Sequence, residues 1–155
     1  MSGTARQPMI LVVDDEPEIR DLIAASLQPH GMEVVAVADG PAALLQAACQ
    51  RFDLCVLDVA MPGMDGLEVC RRLRALPFTR ALPVLFLTAH QDAKTIDDAF
   101  AAGATDYLIK PVYPTLLWAR VRNLLKMDEL ARQADHVREA IELLDVALRP
   151  PSGSN

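Results

Sequence analysis

Phe52-Asp53-Leu54-Cys55-Val56-Leu57-Asp58-Val59-Ala60-Met61-Pro62-Gly63-Met64-Asp65-Gly66 is the stretch whose reading decides the fold. Leu54 to Leu57 is an unbroken apolar run of strand length, the pattern of a strand buried on both faces, and it stops at one carboxylate, Asp58. Pro62, Gly63 and Gly66 then read as a turn.

Working outward, the same grammar recurs. Ile10 to Val13 is a β-branched run that ends at Asp14-Asp15-Glu16, with Pro17 placed to open a helix. Ile19, Leu22, Ile23, Ser26 and Leu27 follow at helical spacing, and His30-Gly31 supplies the stop. Glu33 to Val37 reads as the second strand and Pro41 to Gln50 as a helix. After Asp58 a helix is expected from about Gly66 to Ala75. Pro83 to Leu87 is the fourth strand, ending at Thr88. Asp92 to Ala102 is helical, closed by Gly103, and Thr105 to Ile109 is the fifth strand, ending at Lys110-Pro111. From Pro114 a helical pattern runs to Leu148, where Pro150-Pro151 stop it.

Strands alternating with helices predict an α/β fold, a parallel sheet with helices on both faces. In such a sheet the carboxyl ends of all strands lie along one edge, where ligands bind. Asp14-Asp15, Asp58, Thr88 and Lys110 each end an apolar run, so they are expected to meet. Three carboxylates in contact repel: at about 4 Å and an effective dielectric near 20, each pair costs on the order of 4 kcal/mol. Lys110 offsets one charge, and an all-oxygen carboxylate site with open positions suits Mg²⁺, or Mn²⁺, for the others. A metal, a lysine, a hydroxyl and an ionised carboxylate together suit phosphoryl transfer to Asp58 as nucleophile, with Thr88 and Lys110 holding oxygens of the transferred group.

The chain resembles the response regulator receiver domains of two-component and phosphorelay signalling. The resemblance rests on Val12-Val13-Asp14-Asp15-Glu16, on Leu57 through Gly66, on Leu87-Thr88-Ala89, and on Gly103 through Pro111, in the family's order and spacing from Met9 to Lys126. It implies a flavodoxin-like, doubly wound (βα)5 three-layer sandwich with sheet order 2-1-3-4-5. It implies that Asp58 accepts phosphate from a sensor histidine kinase or phosphotransfer protein. It further implies that Asp15 and Asp58 ligate the metal, with Asp14 nearby and the backbone carbonyl of Ala60 as a further ligand, and that Lys110 pairs with the phosphoryl group ahead of a cis bond to Pro111. Thr88 and Tyr107 occupy the switch positions of the family. Ala60 and His90, two residues after Asp58 and Thr88, depart from the commonest pattern and are expected to tune the lifetime of the aspartyl phosphate.

Plainer readings stand beside these. Asp14-Asp15 alone would be a helix-opening pair, Tyr107 a half-buried strand aromatic, and Cys55 a strand residue. A metal-dependent phosphatase with an aspartyl nucleophile commonly wants a general acid two residues on, where Ala60 stands. A receiver-like adaptor that works without phosphorylation is the other alternative. The expectation is therefore a phosphoacceptor switch rather than an enzyme.

The bulk numbers bound the rest. With 155 residues, 52% hydrophobic and 23% charged, the chain has room for one folded domain and no second. A net charge of −6 argues against a surface for nucleic acid or anionic lipid. Cys49, Cys55 and Cys70 show no C-x-x-C spacing, and no apolar run approaches a membrane span, so a cytoplasmic protein is expected. The domain is expected over 9–126, with a flexible tail over 1–8 and a disordered one over 150–155. The helical extension 127–149 carries a heptad-like seam of Leu130, Ala134, Val137, Ile141, Leu144 and Leu148, whose phase slips through Leu124 and Met127. It reads either as an amphipathic tail folding back, or as a coiled-coil homodimer helix or a connector to an output domain.

Overall fold

A computed structural model describes residues 6–153, so the tails expected over 1–8 and 150–155 lie partly outside the described residues. Five strands form one parallel sheet in the order β2-β1-β3-β4-β5. They are β1 (Met9–Val13), β2 (Glu33–Val37), β3 (Leu54–Asp58), β4 (Val84–Thr88) and β5 (Asp106–Ile109). The helices are α1 (Pro17–Leu27), α2 (Gly40–Cys49), α3 (Gly66–Ala75), α4 (Ala93–Ala102) and α5 (Pro114–Leu148).

Alternation along the strands divides the core. Leu11, Val13, Cys55, Leu57, Val84 and Phe86 pack against α2, α3 and α4, while Ile10, Val12, Leu54, Val56, Leu85 and Leu87 pack against α1 and α5. Every residue of β3 is buried, as its unbroken apolar run requires. The expected fold class and strand order are those observed.

Boundaries shift where capping decides them. Asp39 caps α2 by accepting from the Ala42 N–H at 2.8 Å, and the helix starts at Gly40 rather than Pro41. Asp92 likewise stands outside α4 as its cap. A 3₁₀ turn, Gln28–His30, intervenes before Gly31, whose φ of 81° ends the segment in the left-handed region.

Two features anchor the helical layers. Arg74, on α3, donates to the carbonyls of Gly103, Thr79, Arg80 and Leu82 at 2.6–3.3 Å, tying α3 to the loops that lead into β4 and β5. On the opposite face the His30 ring stacks on Trp118 of α5 at 3.8 Å. Within α5, Leu117, Val121 and Leu124 are buried against the sheet. From Glu129 to Leu148 every residue is exposed, so the extension continues α5 away from the domain and does not fold back on it.

Candidate functional site

Strand order reverses between β1 and β3, which run side by side with the next crossovers leading in opposite directions. That arrangement opens a crevice at their carboxyl ends, and Asp14 and Asp58 stand on either side of it. Asp14 is fully buried and Asp58 nearly so, whereas Asp15 is exposed at the rim. Carboxylate oxygens of Asp14, Asp15 and Asp58 all lie within 4.8 Å of one another. β5 delivers Lys110 beside them: its N–H donates to the Thr88 carbonyl at 2.7 Å, which sets it next to the end of β4. The peptide bond from Lys110 to Pro111 is cis.

The Lys110 ammonium sits among three carboxylates, 3.1 Å from Asp14 Oδ2, 3.2 Å from Glu16 Oε2 and 3.4 Å from Asp58 Oδ1. Burial pulls its pKa down, and the neighbouring carboxylates of Asp14, Asp58 and Glu16 outweigh that and leave it raised. Asp58 is pushed up to about 6, first by burial and then by the Asp14 charge, with Lys110 and the Ala60 N–H acting against the rise. That N–H donates to Asp58 Oδ1 at 3.4 Å.

Asp14 is held from several sides. Its N–H donates to the Val37 carbonyl at 3.2 Å, its Oδ1 accepts from the Glu16 N–H at 2.9 Å, and its carbonyl accepts from Arg20 at 2.7 Å. Its other carboxylate oxygen, Oδ2, faces Lys110 without the alignment of a hydrogen bond. Among the described residues it is the buried side-chain acceptor that no donor satisfies. A buried carboxylate oxygen met only by the Lys110 ammonium, beside two further carboxylates, is a donor set that fits a hard divalent cation.

Thr88, buried at the end of β4, accepts from the His90 N–H at 3.1 Å and donates to the His90 carbonyl at 3.4 Å. The His90 side chain is exposed. Tyr107 pairs in register with Phe86 and so lies on the same sheet face as Thr88, toward α4. Its ring is half-buried and meets Phe100 edge-on, with centroids 6.0 Å apart.

The sequence-predicted Asp14, Asp15 and Asp58 thus converge, and Lys110 meets Asp14 and Asp58. Thr88 borders the cluster, Ala60 and His90 contribute backbone N–H groups beside it, and Tyr107 stands apart on the α4 side. Three residues were not foreseen. Glu16 is a third carboxylate on Lys110, and the run of three acids with one lysine at the opposite strand end was its only signal. Arg20 braces the Asp14 backbone, and Phe100 packs on Tyr107 from a helix seven residues earlier in the chain.

Residues 10–122 match the family model described as the response regulator receiver domain. The response regulator PleD of Caulobacter vibrioides is 44% identical over 129 residues, which cover 80% of this chain and 28% of that protein. The DNA-binding response regulator MtrA of Mycolicibacterium smegmatis is 37% identical over 149 residues, 96% of this chain and 61% of that protein. The chain therefore spans less than two thirds of the length of these relatives. Among solved structures, the chemotaxis response regulator CheY4 of Vibrio cholerae is similar, with a TM-score of 0.74 at 34% identity over 77% of this chain and 99% of that one.

Proposed function

The chain belongs to the response regulator receiver domain family, a signalling module of two-component systems, and from that premise we propose that Asp58 accepts a phosphoryl group from a sensor histidine kinase or phosphotransfer protein. The observation that carries this reading is the buried Asp14–Asp58–Lys110 contact with its unsatisfied Asp14 oxygen. A carboxylate oxygen of Asp58 attacks the phosphorus of the phosphohistidine, the P–N bond breaks, and its electron pair stays on the imidazole of the donor. No general base is needed, because the nucleophile is an ionised carboxylate at neutral pH.

Mg²⁺, or Mn²⁺, held by Asp14, Asp15, Asp58 and the Ala60 carbonyl, would supply the positive charge that offsets the clustered carboxylates and the incoming phosphoryl oxygens. The chain's own residues do the rest. Lys110 turns from its carboxylate contacts to a phosphoryl oxygen. The Thr88 hydroxyl leaves the His90 backbone for another, and Tyr107 moves inward on its Phe100 contact. The acyl phosphate carries about −1.5 to −2 where the carboxylate carried −1, and its three acceptor oxygens reach further out than the carboxylate did, which drives these local changes. They are read on α4, β5 and α5, and passed along the extension beyond Met127 to an output partner or domain. Ala60 and His90 set the lifetime of the acyl phosphate, which dephosphorylation rates of Ala60→Asn and His90→Ala proteins would reveal.

Incubation with acetyl phosphate and Mg²⁺, followed by intact mass, tests the reading. One added phosphoryl mass that disappears in Asp58→Ala supports it. Absence of any adduct on the wild-type chain, with the domain folded, would favour an adaptor that works without phosphorylation; turnover of phosphate esters would favour a phosphatase.

A further inference from the structure

The seam of the α5 extension is an apolar surface that nothing among the described residues covers. It starts one position earlier than the heptad reading placed it, at Met127, and runs without a break to Leu148 at alternating three and four spacing. Each large seam residue is more than half exposed, for example Val137 at 57% and Ile141 at 61%. An exposed stripe of this length on one helix gives little stability by itself, since isolated helices rely on burial of their apolar face.

The direction of the seam decides what can cover it. At about 100° per residue, its centre lies roughly 140° around α5 from the stripe of Leu117, Val121 and Leu124 that packs on the sheet. The slip in phase between Leu124 and Leu130 is therefore a handover from a core-facing stripe to one facing the other way. The receiver itself cannot reach it.

We infer that the extension pairs with the same segment of a second copy of this chain, as a parallel, in-register two-stranded coiled coil on the side of α5 turned away from the sheet. With Met127, Ala134, Ile141 and Leu148 at a, and Leu130, Val137 and Leu144 at d, leucine holds two of the three d positions and Ile141 at a is followed by Leu144 at d, the one step that carries the pairing favouring two parallel strands. In-register parallel pairing uses all seven layers; the antiparallel register that sets every a against a facing d′ leaves Leu148 out. Flanking positions admit the partner closely, since Ala131, Ala140 and Ala147 occupy e and g. The g-to-e′ neighbours are Lys126 with Ala131, Gln133 with Arg138, and Ala140 with Asp145, so no like charges meet. Charges on the outer faces are instead paired within each helix, as Arg132–Asp128 at 3.3 Å and Arg138–Asp135 at 3.0 Å.

The area is also of the right order. Taking roughly 60–100 Å² of apolar surface per seam side chain, seven layers bury about 800–1,400 Å² over both helices, at the lower edge of stable interfaces. The dimer is accordingly concentration-dependent. This inference goes beyond the proposed phosphorylation and does not rest on it.

Sedimentation equilibrium of the full 155-residue chain over about 1–100 µM tests it. The expected mass rises toward twice that of the monomer, Val137→Asp abolishes the rise, and Glu139→Arg on the outer face leaves it. Because Val137 lies outside both core clusters, the variant keeps the urea midpoint of the receiver domain followed by Trp118 fluorescence, which separates lost pairing from lost folding. A monomer mass across the whole range, or a dimer indifferent to Val137→Asp, overturns the proposal. Orientation is read from Ile141→Cys in a Cys49→Ser background. Oxidation links the two copies if the helices are parallel and in register, and a non-covalent dimer that does not link at this position overturns that geometry.

Discussion

Lys110 Nζ lies closer to Glu16 Oε2, at 3.2 Å, than to Asp58 Oδ1, at 3.4 Å. The residue expected to stabilise the phosphoryl group is thus shared with a carboxylate outside the Asp14, Asp15 and Asp58 cluster. Glu16 is largely exposed, so solvent screens the contact and its worth is small. It nevertheless competes for Lys110 and repels anionic donors at the mouth of the crevice. Glu16→Gln is expected to accelerate phosphorylation by acetyl phosphate by up to about fivefold, the equivalent of a screened pair. Stopped-flow rates against donor concentration check this, and a slower variant would show that Glu16 assists instead.

Gly66 opens α3 directly beneath the end of β3. Its N–H donates to the Val59 carbonyl at 2.9 Å, and a Cβ there would overlap the Asp58 carbonyl, a backbone atom that cannot swing aside. Gly66→Ala should cost about 2–4 kcal/mol and displace Asp58 from Lys110. The urea midpoint measures the first effect and the yield of phosphoryl adduct the second.

Asp58 makes the metal-free chain less stable at neutral pH than in mild acid. Its folded pKa, about 6, lies above the ordinary 3.8, so between those values the folded state binds a proton that the unfolded state has released. Stability therefore falls as pH rises from about 4 to 6, by on the order of 2–3 kcal/mol from this group, and levels off above. Urea titrations in chelator should show that fall, and Asp58→Asn should abolish its share and be the more stable protein at pH 7. Adding Mg²⁺ at pH 7 should raise the midpoint of the wild type well above that of the Asn variant's own response.

Arg74 satisfies carbonyls from two loops with one guanidinium, and its side chain fills the space above Gly103, whose φ of 111° leaves no room for a Cβ. Arg74→Ala strands those acceptors and is expected to cost about 2–4 kcal/mol. Arg74→Lys, with a single donor head in place of the fork, should recover only part of that. Hydrogen exchange should report the loss first at the Leu76 to Leu82 loop and around Gly103.

The fold was legible because burial is written into β3 itself. Four consecutive apolar residues with no polar alternate need cover on both faces, and the alternating strand and helix lengths leave the doubly wound sheet as the way to provide it. Element ends were less so, since Asp39 and Asp92 act as caps through side-chain bonds that a propensity reading counts as helix. The acidic cluster followed from strand ends alone: a parallel sheet brings its carboxyl ends to one edge whatever the helices do.

What the sequence determined by itself was the sheet, the edge where Asp14, Asp15, Asp58 and Lys110 converge, and the spacing of the α5 seam. Local periodicity and strand polarity dictate all three, and both are properties of neighbours along the chain. Only the tertiary structure decided that Glu16 shares Lys110, that Asp14 Oδ2 has the Lys110 ion pair and no aligned hydrogen bond, that Phe100 backs Tyr107, and that the seam faces away from the core. Those relationships join residues far apart in the chain or depend on which side of a helix the sheet occupies. Side-chain distances and helix rotation arise from packing all the layers together, and no local pattern carries them.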